Sequence, residues 1–181
     1  MQRLAIFVLA ALVAVGCGGG DNGPPGSTRL PGSSTTTAPT TSTTTVESAV
    51  EEAYLAYWEM GERLLQDPDP DDPEILSRTT GRLRAEMIES LTTLRAQGRR
   101  VRYGPRYGHH VLSVSVESDV AEVVDCLVDD GEVIDVRTER RVSGGLLTVR
   151  HRTTMVREAG AWKASEAAQD GTWEGVSRCD G

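Results

Sequence analysis

The sequence has few aromatic residues, almost no lysine and no long apolar run, and each shortage narrows the possible functions. Aromatic residues are 4% of the 181 residues, and one lysine accompanies 18 arginines. No apolar run approaches the roughly 20 residues that a membrane-spanning helix needs. The sequence also lacks a glycine-rich phosphate loop, a nucleophile elbow and a Cys-x-x-Cys motif, so nothing in it indicates nucleotide, serine-hydrolase or thiol-redox chemistry.

Acidic residues outnumber basic ones in the part of the chain that can fold. Val46 to Gly181 contains 26 acidic and 17 basic side chains, a net charge of −9. Nucleic-acid binding depends on Lys and Arg displacing counterions from phosphates. We therefore expect no nucleic-acid partner. The 136 residues of this segment are enough for one hydrophobic core.

The N-terminus has the pattern of an export signal. Arg3 precedes an apolar run of 12 residues, Leu4 to Val15, which is too short to span a bilayer and is typical of a signal-peptide core. The following Ala14-Val15-Gly16-Cys17 resembles the lipobox of bacterial lipoproteins. That resemblance implies a signal peptide over residues 1–16 and a diacylglycerol anchor on Cys17. Plain secretion without the lipid is the alternative.

A polar linker is predicted from Cys17 to Thr45. Thirteen of the nineteen residues from Ser27 to Thr45 are Ser or Thr, and prolines interrupt them. Such a segment cannot bury enough apolar surface to offset chain entropy, which predicts disorder. The linker could be O-glycosylated or an unmodified spacer.

Helical spacing of apolar residues begins at Val46 and is replaced by a period of two after Gly98. The pattern predicts one helix from Val46 to the residue before Asp67. A short second helix follows, with Asp72 at its N-cap and Gly81 as its stop signal, and a third ends at Gly98.

Strands are predicted after Gly98, where Leu112, Val114 and Val116 alternate with polar residues and should face the core. Helices followed by antiparallel strands predict an α+β fold in which the helices pack on one face of a curved antiparallel sheet. The predicted strands are Leu112–Glu117, Val120–Val128, Glu132–Val142, Leu146–Arg157 and one around Trp162–Ala167.

Two cysteines remain once Cys17 is assigned to the lipid. In an exported domain Cys126 and Cys179 are expected to pair and to hold the polar C-terminal tail against a central strand. Two free thiols are the alternative.

An ordered set of short motifs resembles actinobacterial lipoproteins and secreted proteins with a nuclear-transport-factor-2-like (SnoaL-like, cystatin-like) domain. The resemblance implies a cone in which a curved sheet wraps an N-terminal helix hairpin, often with a pocket between them, over residues 46–181. It implies no fixed activity, because relatives include isomerases, dehydratases, hydrolases, delivery domains and members of envelope assemblies. The motifs are Tyr54-x-x-Tyr57-Trp58, Pro68-x-Pro70-x-x-Pro73, Thr80-Gly81, Leu94-Arg95-x-x-Gly98, Ala121-x-Val123-x-Asp125-Cys126, Gly160-x-Trp162-Lys163 and the late Cys179.

Asp125 and His151 are the candidate catalytic residues. Asp125 follows Ala121 and Val123 on one strand face, and His151 follows Val149 on another, so both are expected to point into the cone. A buried Asp beside a His could act as a general base, and a buried structural hydrogen bond is the alternative.

Other polar and aromatic clusters also have two interpretations. His109 and His110 precede a strand, but neighbouring strand residues face opposite sides, so we expect no metal site.

Arginine clusters could contact anionic lipids or be paired with carboxylates. The pocket candidates, which could equally be core, are Tyr54, Trp58, Met155 and Trp162.

The leading hypothesis is a non-catalytic, extracytoplasmic lipoprotein anchored to the cytoplasmic membrane. Its domain would bind a small apolar ligand or an envelope protein. The alternative hypothesis is a small cofactor-free enzyme of the isomerase, dehydratase or hydrolase type that uses Asp125 and His151.

Overall fold

The computed structural model describes the chain from residue 41 to residue 179, with side chains from residue 46 onward. The predicted signal peptide (residues 1–16), the predicted lipidation site Cys17 and the predicted linker up to residue 40 lie outside the described residues. No helix in the described part is both long and apolar enough to cross a membrane.

Three helices precede seven strands in the described chain. The helices are α1 (Thr41–Gln66), α2 (Glu74–Arg78) and α3 (Gly81–Ala96). The strands are β1 (Arg99–Arg102), β2 (Gly108–Glu117), β3 (Val120–Asp129), β4 (Glu132–Asp135), β5 (Arg141–Gly144), β6 (Leu147–Glu158) and β7 (Ala161–Glu174). Helix α1 thus begins five residues before the predicted start at Val46.

The helix boundaries follow from local capping chemistry. The carboxylate of Asp72 accepts a 2.8 Å hydrogen bond from the backbone N–H of Glu74, which is the predicted cap of α2. Gly98, with φ of +60°, follows the end of α3 as expected. The prediction for Gly81 is wrong in part, because this glycine, with φ of +55°, is the first residue of α3.

Two antiparallel sheets form from the seven strands. The larger has the order β2-β3-β6-β7 and the smaller β1-β4-β5. The prediction of one strand over Glu132–Val142 is wrong, because a turn separates β4 from β5. The carboxylate of Asp135 stabilises that turn by accepting 2.8 Å hydrogen bonds from the N–H and the hydroxyl of Thr138.

The main core lies between helices α1 and α3 and the concave face of the larger sheet. Val50, Tyr54 and Leu64 of α1 are at most 1% exposed and share one helix face. They meet Val123 of β3 and Met155 of β6, which are fully buried. The predicted α+β class, with helices packed on a curved antiparallel sheet, is confirmed.

The predicted disulfide joins the C-terminal segment to β3. The sulfurs of Cys126 and Cys179 are 2.07 Å apart and their Cα atoms 5.8 Å apart. Since Asp125 faces the core, the neighbouring Cys126 faces the outer side of the sheet. The bridge therefore holds the segment after β7 against that outer side.

Candidate functional site

Asp125 and His151 lie opposite each other on the concave face of the larger sheet. They are register partners on β3 and β6. Asp125 is completely buried and His151 is 8% exposed. Their predicted placement inside the cone is therefore confirmed, because both strands keep a period of two around these positions.

The hydrogen-bond partners of Asp125 come from α1 and β2. Its Oδ2 atom accepts a 3.1 Å hydrogen bond from the Tyr54 hydroxyl and lies 2.5 Å from Nδ1 of His109. His109, and not His151, is thus the histidine bonded to Asp125. From the sequence, His109 is a candidate only for metal binding, and no metal site is expected there.

His109 extends the polar cluster toward the surface. Its Nε2 atom lies 3.3 Å from the Tyr107 hydroxyl and 3.7 Å from a carboxylate oxygen of Glu62. The Glu62 side chain is 28% exposed, so the cluster runs from solvent to the buried Asp125. Burial raises the pKa of Glu62 and, more strongly, that of Tyr107.

His151 packs on the ring of Trp58, and no residue in the described part of the chain forms a hydrogen bond or ion pair with its side chain. Its ring centroid is 5.3 Å from that of Trp58, in an edge-on arrangement. Burial lowers the pKa of His151 to about 4, although the charge of Asp125 opposes this shift. The imidazole is therefore neutral at pH 7 and cannot donate a proton as an imidazolium ion there.

Three buried polar atoms around this cluster have no hydrogen-bond partner among the described residues. They are Oδ1 of Asp125, Nε1 of Trp58 and Oγ1 of Thr153. An unsatisfied buried polar group costs about 1–3 kcal/mol. Oδ1 of Asp125 therefore has no partner in the described part of the chain and is placed to accept a hydrogen bond from a further group.

The four pocket candidates are part of the hydrophobic core. Tyr54 and Met155 are completely buried, and the partly buried Trp58 and Trp162 pack against the same cluster. Their side chains fill the space between helix and sheet, so the cone has an aromatic interior where the resemblance implied a pocket.

A groove lies outside the cone, on the outer side of β2 and β3. We call it the outer groove. Its volume is about 640 Å³, and the disulfide forms part of its wall. It is lined by Arg106, Gly108, His109, His110, Leu112, Cys126, Val128, Ser177 and Arg178.

A smaller groove lies on the other side of β2, beside the N-terminal half of α1. We call it the inner-edge groove. Its volume is about 230 Å³. It is lined by Glu47, Ser48, Glu51, Val111, Leu112, Ser113 and Val114.

The two adjacent histidines of β2 separate to opposite sides, as expected for neighbouring strand residues. His109 points inward to Asp125, whereas the exposed His110 lines the outer groove. Within residues 41–179 no group of three or more His, Cys, Asp or Glu side chains is arranged to hold a metal ion.

Many of the exposed arginines pair with carboxylates, which agrees with the structural interpretation of the basic clusters. Arg150 and Arg152 on β6 both contact Asp170, at 2.7 and 3.1 Å. Arg106 and Arg178 differ, because neither has an ion pair with another described residue.

Comparison with known proteins finds similarity in fold alone. No family model and no curated protein matches the sequence. The intermembrane space region of the chloroplast protein ARC6 superposes with a TM-score of 0.58 at 17% identity, covering 68% of this chain and 95% of that one. The likeness shows a shared fold.

Two further solved structures have lower similarity. A protein from Streptomyces avermitilis described as a dehydratase of the NTF2-like family gives a TM-score of 0.41 at 15% identity, covering 74% of this chain and 99% of that one. A de novo designed β-sheet protein gives 0.39 at 14% identity, covering 71% and 91%.

Proposed function

We propose that the protein is a non-catalytic, membrane-anchored extracytoplasmic lipoprotein that binds a protein partner through the outer side of its sheet. The observation that supports this most directly is where the accessible space lies. The interior of the cone is filled by Tyr54, Trp58 and Met155, while the outer groove is open beside β2. A small apolar ligand in the cone is correspondingly disfavoured.

The surface chemistry of the outer groove suits a partner. Leu112 is 43% exposed and Val176, near the groove's C-terminal wall, is 65% exposed. Exposed apolar residues beside unpaired arginines are typical of recognition sites. The disulfide fixes Ser177 and Arg178 in the wall of the groove, so the surface is held in shape before binding.

Site-specific crosslinking in intact cells tests this proposal. A photoreactive amino acid at Leu112 should give a discrete crosslinked product. The matched control is the same amino acid at Glu166, which is exposed on β7, away from the groove. Identical product patterns from both positions, or no product from Leu112, would overturn the proposal.

Acid/base catalysis is the second candidate function, and one observation favours it. Oδ1 of Asp125 has no hydrogen-bond partner within residues 41–179, while Oδ2 is bound by His109 and Tyr54. A dyad of Asp125 and His109, in place of Asp125 and His151, would then act on a substrate. Such a substrate would first have to displace the core ring of Trp58, which is why we rank this function second.

A further inference from the structure

β2 is an edge strand of the larger sheet. Over residues 41–179 it pairs only with β3. One row of its backbone N–H and C=O groups therefore faces away from the sheet. Such a row is a template on which another extended chain can pair.

This edge lacks two of the devices that commonly protect edge strands, lysine and proline. Lysines, prolines and covering helices commonly prevent pairing at an exposed edge. β2 is ten residues long and contains neither lysine nor proline. Its single irregularity is a bulge between Val111 and Ser113, which turns Leu112 outward. Leu112 contributes to both grooves.

The two grooves on either side of β2 have opposite charge. The outer groove contains Arg106, His110 and Arg178, and no carboxylate lines it. The inner-edge groove contains Glu47 and Glu51, and no basic side chain lines it. A strand added beside β2 would point alternate side chains toward these two grooves.

We propose that β2 binds an extended peptide segment of a partner protein by strand addition. The peptide would direct acidic side chains toward the outer groove and basic side chains toward the inner-edge groove. Backbone hydrogen bonds would provide affinity and the alternating charges would provide specificity. This inference rests on the proposed function and names the chemistry of its partner.

Two peptides of equal composition test the alternation. In (Glu-Lys)4 all glutamates share one face of an extended chain, whereas in (Glu-Glu-Lys-Lys)2 both faces carry mixed charges. Fluorescence anisotropy with the full-length chain in a nonionic detergent should show (Glu-Lys)4 binding about tenfold more tightly, a difference of one favourable charge pair. Equal affinities would overturn the proposal.

Charge reversal locates the site. Arg178→Glu and Glu51→Lys should each weaken (Glu-Lys)4 binding by about tenfold. Reversing all four charges, with Arg106→Glu, Arg178→Glu, Glu47→Lys and Glu51→Lys together, should recover most of the affinity, because a peptide running in the other direction presents its two faces exchanged. The matched controls Arg157→Glu and Glu89→Lys alter exposed side chains away from both grooves and should leave affinity unchanged. Binding that stays weak in the fourfold variant would contradict the model.

Backbone pairing has its own test. N-methylation at alternate residues removes the N–H groups along one edge of a peptide strand. A (Glu-Lys)4 peptide methylated at every residue should lose binding, because neither of its edges can then donate to β2 in either direction. Unchanged binding of that peptide would leave only side-chain attraction and would overturn strand addition.

Other occupants give distinct results. If residues 18–40 of the chain occupied the edge, deleting them would raise peptide affinity strongly. If a second copy of the chain occupied the edge of β2, sedimentation would show a dimer, and adding the peptide would dissociate it. Either result would overturn a partner peptide as occupant. Crosslinking from Leu112 without any preference for (Glu-Lys)4 would refute this peptide chemistry and retain the proposed function.

Discussion

At the scale of single residues, the two buried histidines near Asp125 have different roles. His109 hydrogen-bonds Asp125 across 2.5 Å, while His151 lies in register with the same aspartate but packs on Trp58. Strand register alone therefore does not decide which side chain pairs with a buried carboxylate. The difference makes His151 a neutral group whose protonation opposes folding.

His151 should make the protein less stable in mild acid. The unfolded imidazole takes up a proton near pH 6.5, whereas burial holds its folded pKa at about 4. As pH falls from about 6.5 to 4 the unfolded state binds more protons, so the free energy of unfolding decreases, by up to about 3 kcal/mol. Urea denaturation at pH 7, 5 and 4 measures this.

A His151→Phe variant is the matched control for this pH dependence. It keeps a ring of similar size and removes the titrating group, so its stability should fall less between pH 7 and 4. The raised pKa of Glu62 has the opposite effect, because it makes the free energy of unfolding increase as pH falls. Glu62 is present in both proteins, so its effect cancels when their stabilities are compared. Parallel curves for the two proteins would show that His151 does not titrate in this range.

Gly144 is expected to tolerate no side chain, whereas its neighbour Gly145 should. Gly144 has φ of +111°, and a Cβ there would overlap the backbone carbonyl oxygen of Gly131 and lie 2.7 Å from Cα of Glu132. Gly144→Ala should lower the free energy of unfolding by about 2 kcal/mol or more. A Cβ at Gly145 meets nothing within 4 Å. Equal thermal midpoints for the two variants would disprove the steric argument.

At the scale of whole elements, a bulge in β2 explains which parts of the site were predictable. The alternation predicted that Leu112 faces the core with Val114 and Val116. Leu112 is instead exposed, because an extra residue lies between the pairs Val111 with Asp125 and Ser113 with Val124. The expected inward position of Leu112 is therefore wrong, while Val114 and Val116 do pack on the core.

The same bulge kept the role of His109 from being predicted. Continued back from Leu112, the alternation would place His109 on the outer face, away from Asp125. The pairing of β2 with β3 determines the bulge, and a sequence of one strand does not contain that information. Asp125 and His151 were predictable because β3 and β6 are regular between them.

The C-terminal segment should depend on the disulfide. Cys126 and Cys179 are 53 residues apart, and closing a loop of that length stabilises a protein by about 4 kcal/mol in the chain-entropy model. A Cys126→Ala/Cys179→Ala variant should lose about that much free energy of unfolding, measured by urea denaturation. Reduction of the disulfide in the native protein should cause the same loss of free energy of unfolding. An unchanged urea midpoint would contradict a stabilising role of the disulfide.

Loss of the disulfide should also be visible locally. The backbone N–H of Ser177 donates a 2.8 Å hydrogen bond to the hydroxyl of Thr148. Once the bridge is removed, this amide should exchange with solvent much faster than amides in the middle of β6, because the bridge is the covalent link between this segment and β3. Equal protection of both would mean that the segment stays in place without the bridge.

At the scale of the whole molecule, the acidic folded part and its local ion pairs argue against a general electrostatic attraction to membranes. The foldable part has a net charge of −9, and Arg63, Arg150 and Arg152 each contact carboxylates. A net-negative domain is repelled by anionic lipid headgroups. Under the proposed function, membrane association would then depend on the lipid proposed for Cys17.

Cys17→Ala should therefore release the protein from membranes. A diacylglycerol anchor holds stably because two chains each bury many CH₂ groups, at about 0.8 kcal/mol per group. Without Cys17 no lipid can be attached, and the protein should move from the membrane fraction to the soluble fraction of fractionated cells. The Cys126→Ala/Cys179→Ala variant removes the other two cysteines and should stay with the membranes. If the Cys17→Ala protein also stays there, at low and at high salt, the lipid on Cys17 is not what holds the protein at the membrane.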